Sequence, residues 1–113
     1  MDFEVSIDEH AESYSVIGVR GEIDLHTAPK FQYAIERAAL TDGAVVVDMS
    51  GVMFMDSTAL SALVRSKDSL QDQGISLRLA APSEAVERIF SVTGFRVYFD
   101  IFPSREAAIP GQV

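Results

Sequence analysis

The sequence predicts a single-domain α/β fold, a mixed and mostly parallel sheet of about five strands with about four helices. Three observations lead there. Segments with the two-residue alternation of strands take turns with segments of helical periodicity, in the order β-β-α-β-α-β-α-β-α. The run Ala44–Val47 is apolar throughout, as suits a strand covered on both faces. Helix-start residues, Thr27-Ala-Pro and Pro82-Ser83, stand directly before apolar-periodic stretches. Strands separated by helices imply right-handed crossovers and parallel pairing, so only the first strand makes the sheet mixed.

Residues 3–8 (FEVSID) and 14–20 (YSVIGVR) alternate and read as a hairpin around the polar His10–Ser13 segment. After GEIDL, Thr27 stands near a helix cap and Pro29 in the first turn, where its missing N–H costs nothing. Phe31, Ala34, Ile35 and Ala38 then recur on one helical face, and Thr41-Asp-Gly43 ends the helix. The strand Ala44–Val47 follows. Leu60, Leu63, Val64 and Leu70 mark a second helix closed by Gln73-Gly74. ISLRLA, residues 75–80, is another strand. Pro82-Ser83 opens a third helix with Val86, Ile89 and Phe90 inward and Gly94 just past its end. Tyr98–Phe102 reads as a strand and Ser104–Ile109 as a short last helix. The domain is thus expected to span 1–113, with its core at 3–109 and a frayed tail at 110–113.

Composition narrows the function. A chain of 113 residues, 48% of them hydrophobic, can bury one core. No apolar run approaches the roughly 20 residues that cross a bilayer, and the acidic start MDFEVSIDEH lacks the features of a secretory signal. Without cysteine there is no thiolate chemistry or disulfide, which suits a cytoplasmic location. A net charge of −8 repels phosphate backbones and anionic lipid, so neither nucleic acid nor membrane is expected as a direct partner.

Enzyme chemistry finds little footing, and no enzymatic activity is expected. Ser57 lies where a strand hands over to a helix, but Met55 and Ala59 occupy the positions a nucleophile elbow reserves for small residues such as glycine. The only candidate bases are His10 and His26, neither with triad geometry implied. Those two histidines have no metal-ligand spacing, and Glu22 and Asp24 alternate along an extended segment. No glycine-rich phosphate loop is present. Neither a metal nor a cofactor is expected.

In a parallel α/β fold, partners meet the loops at the strand C-termini. Two such loops stand out, GEIDLHT and MSGVMFMDST. In FMDSTAL, Asp56 can cap the following helix, which leaves Ser57 at its first position with the hydroxyl outward. Capping is the routine role for such residues. A phosphate on Ser57 would gain from the helix N-terminus and lose from the adjacent Asp56 carboxylate. Both readings stand on the residues alone. Val52, Met53, Phe54 and Met55 admit an exposed apolar patch, but a buried loop and short strand is the expectation, since such side chains are mostly interior.

GEIDLHTAPKF, VVVDMSGVMFMDSTALSALV and ISLRLAAPSEAVERIFSVTGF together resemble a STAS domain of the anti-sigma factor antagonist type. These are bacterial regulators of sporulation and general-stress sigma factors. The resemblance implies a partner switch. The unphosphorylated antagonist would bind a GHKL-type serine kinase that is also the anti-sigma factor, and so free the sigma factor. Phosphorylation of Ser57 would dissolve the complex, and a PP2C-type phosphatase would restore it. Asp56 would orient the acceptor, and Asp24, with Glu22 beside it, matches the acidic position that faces a basic residue of the kinase. Thr58 is a second hydroxyl, but the family position is that of Ser57. Ala59 stands where the family often has glycine, a change small enough to preserve fold and docking. A weak homodimer is compatible with this reading. Two other STAS roles remain: a subunit of an ABC-type lipid transporter complex, and a nucleotide-sensing module.

Overall fold

The computed structural model describes residues 3–39 and 43–111. Its elements run β1 (Phe3–His10), β2 (Tyr14–Ile23), α1 (Ala28–Ala38), β3 (Ala44–Met55), α2 (Ser57–Asp72), β4 (Ser76–Ala80), α3 (Glu84–Thr93), β5 (Asp100–Phe102) and α4 (Arg105–Ala108). This is the order the sequence predicts. The five strands form one sheet in sequence order, with β1 antiparallel to β2 and every later pair parallel. Thr41 and Asp42, expected to end α1, lie outside the described residues, as do Gln112 and Val113 of the expected tail.

The helix boundaries follow local chemistry. Asp56, Ser83 and Ser104 each cap a helix, their side-chain oxygens accepting the N–H of the residue three positions on. Gly94 closes α3 in the left-handed conformation, at φ 76°. Gly43, before β3, has φ 112°, and a Cβ there would stand 1.9 Å from the Ser13 carbonyl oxygen. Only glycine fits both the dihedral and that approach.

Alternate strand residues separate two faces. Ile17, Val19, Val45, Val47, Leu77 and Leu79 face α1, α2 and α3 and form the main core with Phe31, Ile35, Leu63 and Phe90. Phe31 and Phe90 are fully buried, each contributing about 1.5–3 kcal/mol by loss of apolar contact with water. The opposite face is only partly covered. There Val16, Val46 and Ala80 pack on Ala108 of α4. Arg105 of α4 bridges Asp8 of β1 and Asp48 of β3, at 2.8 Å to each. Gly18 makes room for that bridge, since a Cβ at this position would lie 2.6 Å from the Asp8 carboxylate.

Three expectations need correction. The third strand is 12 residues long, not the short Ala44–Val47. Its first part, Ala44–Asp48, pairs with both β2 and β4, while Gly51–Met55 continues along β2 alone. That extra half takes up most of the segment expected as a loop, and β2 likewise absorbs Gly21–Ile23. Second, Met53 and Phe54 are not interior: they are 79% and 46% exposed, while Val52 and Met55 are buried. With no β4 beside this half, the outer side chains have no covering element. Third, Tyr98 is not in a strand but in a 3-10 turn, Phe95–Tyr98, and the strand begins at Asp100. The Tyr98 hydroxyl donates to Asp68 at 2.7 Å and the Lys67 amine lies 5.0 Å from its ring centre, so its side chain meets α2.

Candidate functional site

The parallel β2–β3 ladder runs to its end with Glu22 opposite Phe54 and Ile23 opposite Met55. One residue further, the Asp56 N–H donates to the Ile23 carbonyl at 3.3 Å. The two chain segments that leave this edge are Asp24–Thr27 and the first turn of α2. The structure therefore brings together the two stretches singled out in the sequence, and ordinary strand pairing is the cause.

At the start of α2, Asp56 has an extended backbone (φ −110°, ψ −176°), as an N-cap should. Its Oδ1 accepts the Ala59 N–H at 3.0 Å, and its carbonyl accepts that of Leu60 at 3.0 Å. The first four N–H groups of a helix have no acceptor within it. With those two satisfied, the N–H groups of Ser57 and Thr58 have no acceptor among the described residues. Ser57 itself is exposed, whereas Thr58 is half-buried and Ala59 fully buried. A methyl side chain is what the packed position 59 accommodates.

The Asp24 turn is held from within. Asp24 Oδ1 accepts the N–H of His26 at 2.9 Å and of Thr27 at 3.2 Å. Thr27 in turn donates its hydroxyl to the Glu22 carbonyl at 2.8 Å and accepts the Asp24 N–H at 2.9 Å. Desolvation raises the Asp24 pKa, but the Thr27 and His26 N–H groups outweigh it and hold the carboxyl below its ordinary value. Asp24 is thus a fixed negative charge on a braced loop. Thr27, expected near a helix cap, occupies the cap position of α1 without capping it, because its hydroxyl is committed to Glu22. The Asp-x-x-Thr spacing is the signal for such a turn. Glu22 is half-buried on β2 and enters the site through its backbone carbonyl.

Sequence reasoning missed the apolar surface at this edge. Leu25 is 65% exposed in the same turn, and Met53 and Phe54 are exposed on the outer half of β3. The signal was the pattern of four consecutive large apolar residues, which no alternating strand can bury entirely. Serine hydroxyl, carboxylates and exposed apolar side chains thus share this end of the sheet. Among the described residues no three His, Asp or Glu side chains converge to hold a metal, and no helix is long and apolar enough to cross a membrane.

The family model described as the STAS domain matches residues 4–108, and the chain belongs to that family. It is similar to the anti-sigma-B factor antagonist of Listeria monocytogenes, 34% identical over 102 residues that cover 89% of this chain and 90% of that protein. The anti-sigma-B factor antagonist of Bacillus subtilis is 28% identical over 109 residues, covering 96% of this chain and 99% of its own. Among solved structures, an anti-sigma factor antagonist from Mycobacterium paratuberculosis superposes with a TM-score of 0.77 at 28% identity, covering 95% of this chain and 91% of that one.

Proposed function

We propose that this chain is an anti-sigma factor antagonist whose single domain, residues 1–113, works as a partner switch in the cytoplasm. Unphosphorylated, it binds a GHKL-type anti-sigma factor that is also a serine kinase, and the sigma factor is released. The kinase phosphorylates Ser57, the complex dissociates, and a PP2C-type phosphatase resets it. The chain is a binding protein and phosphoacceptor rather than an enzyme. Its relatives named as antagonists of anti-sigma-B factors, matched over nearly their full length, support this assignment.

The observation that carries the reading is the exposed Ser57 hydroxyl directly after a cap that Asp56 already fills. The serine is free of structural duty, so a kinase can modify it without dismantling the helix. A phosphate there would add about −1.5 to −2 charges, next to the Asp56 carboxylate and near the Asp24 turn. The free N–H groups of Ser57 and Thr58 can receive its oxygens, so the modified protein stays folded. What changes is the surface. Burying that charge against a partner without a matching cation at a cost of about 3–4 kcal/mol weakens binding a few hundredfold.

The test is intact-mass analysis after incubation with ATP and the cognate kinase, for wild type and Ser57→Ala. One added phosphoryl group on the wild type and none on the variant is expected. Phosphorylation that persists in Ser57→Ala would assign the acceptor elsewhere, with Thr58 the first place to look.

A further inference from the structure

The edge strand β1 and helix α1 leave a concave groove of about 520 Å³, within the usual range of small-ligand sites. Lys30, Tyr33, Ala34 and Arg37 line it from α1, the i, i+3, i+4, i+7 stripe that faces β1. Phe3, Val5, Ser6 and Ile7 line it from the strand, with the buried Ile17 of β2 beneath them. Ile7 and Tyr33 remain 60% and 63% exposed, so large apolar surface here has no cover from the other described residues.

The charges are as informative as the shape. Although acids outnumber bases 17 to 9 in the chain, no acid among the described residues lines this groove, and two cations do. Neither Lys30 nor Arg37 has an ion-pair partner among the described residues. The Arg37 guanidinium lies 5.9 Å from the Tyr33 ring centre, within cation–π distance. An apolar floor bounded by two unpaired cations suits a ligand with a hydrocarbon tail and an anionic head.

We propose that this groove binds an acyl monocarboxylate, with its tail along Val5, Ile17 and Ala34 and its carboxylate between Lys30 and Arg37. The groove opens at the first turns of α1, immediately after the braced Asp24–Thr27 turn, so an occupant would lie against the helix that follows the docking loop. Binding there does not depend on the sigma-factor reading.

The full chain is titrated with dodecanoate below its micelle concentration while backbone amide NMR shifts are followed. Saturable shifts confined to the groove residues of β1 and α1 are expected. Lys30→Glu combined with Arg37→Glu, two exposed positions, should weaken binding by about ten-fold or more, since charge-assisted contacts are lost. The dodecyltrimethylammonium cation has a comparable tail and the opposite head. The net charge of −8 favours it everywhere, and only the groove's local charge disfavours it. Weaker binding of the cation at the groove supports the proposal. Equal or stronger binding of the cation there overturns it, as does an absence of saturable shifts or their centring on the exposed Val92 and Val97. Binding of an acidic amphipathic helix peptide in the groove, with dodecanoate producing no shifts, would replace the acyl ligand by a protein partner.

Discussion

The Asp56 N–H donates to the Ile23 carbonyl at 3.3 Å, joining the residue before Ser57 to the residue before Asp24. Through this one bond the cap of α2 and the braced turn after β2 share a frame. A partner that reads the Asp24 charge therefore meets the Ser57 hydroxyl at the same edge of the sheet, on two elements already paired. Four predictions test how that edge and its supports work.

Ser57→Asp places a carboxylate in the first turn of α2, where the helix dipole favours negative charge. Stability is expected to hold or rise, by about 0.3–1 kcal/mol at most. Affinity for the kinase should instead fall by about ten-fold or more if Ser57 lies in the docking surface as proposed, because the added charge must then be buried. Urea unfolding and calorimetric binding measure the two separately. Unchanged affinity would remove electrostatic release as the mechanism, even if Ser57 proves to be phosphorylated.

Asp24 has two roles that substitution can divide. Asp24→Asn keeps a carbonyl oxygen for the His26 and Thr27 N–H groups but removes the charge, whereas Asp24→Ala removes both. The alanine variant should be the less stable of the two, and the asparagine variant close to wild type. Both should weaken kinase binding if the charge is what the partner reads. An asparagine variant that binds like wild type would reduce Asp24 to a structural brace.

Asp56 caps α2 through Ala59. Asp56→Ala should cost about 1 kcal/mol, within the 0.5–2 range for lost caps, and Asp56→Asn only a few tenths. Thermal melts of the two variants give the comparison. Equal losses would mean that charge, not the cap hydrogen bond, is what Asp56 supplies.

Acid should loosen the face that α4 covers. The Ser6 hydroxyl and the Arg105 guanidinium lower the Asp8 pKa. Desolvation raises that of Asp48, but Ser50 and Arg105 outweigh it and the net shift is downward. Both folded values lie below the unfolded value of about 3.9. Their stabilisation is therefore present above that pH and is lost as pH falls through the depressed values. Wild type should melt at nearly constant temperature from neutral pH to about 5 as far as these groups are concerned, and lower below about 4. Arg105→Gln removes the shared cation and should cost about 1 kcal/mol near pH 7, with the difference from wild type shrinking in acid. A gap that stays constant from neutral pH to pH 3 would show that Arg105 acts through packing alone.

Much of this molecule is legible along the chain because its signals are local. Helical periodicity, the Asp56, Ser83 and Ser104 caps and the Gly94 stop act within a turn or two, and the structure shows each. The candidate site was readable for the same reason. Asp56 and Ser57 announce a helix start, and the GEID and DST segments carry the family resemblance. Less legible was any feature set by a distant partner. Gly51–Met55 is strand because Arg20–Ile23 pairs with it, and Tyr98, outside the strand, meets Asp68 of α2. Neither partner is near in sequence.

The sequence by itself determined the order of elements, the sheet's mixed character and the serine at the head of α2. Those depend on periodicity and on the backbone groups a helix start leaves unpaired. Only the tertiary structure decided that Met53 and Phe54 face solvent and that Arg105 ties two strands to α4. Each of these depends on which side chains the folded chain brings within reach of one another, and residues as far apart as Asp8 and Arg105 meet only when the sheet has formed.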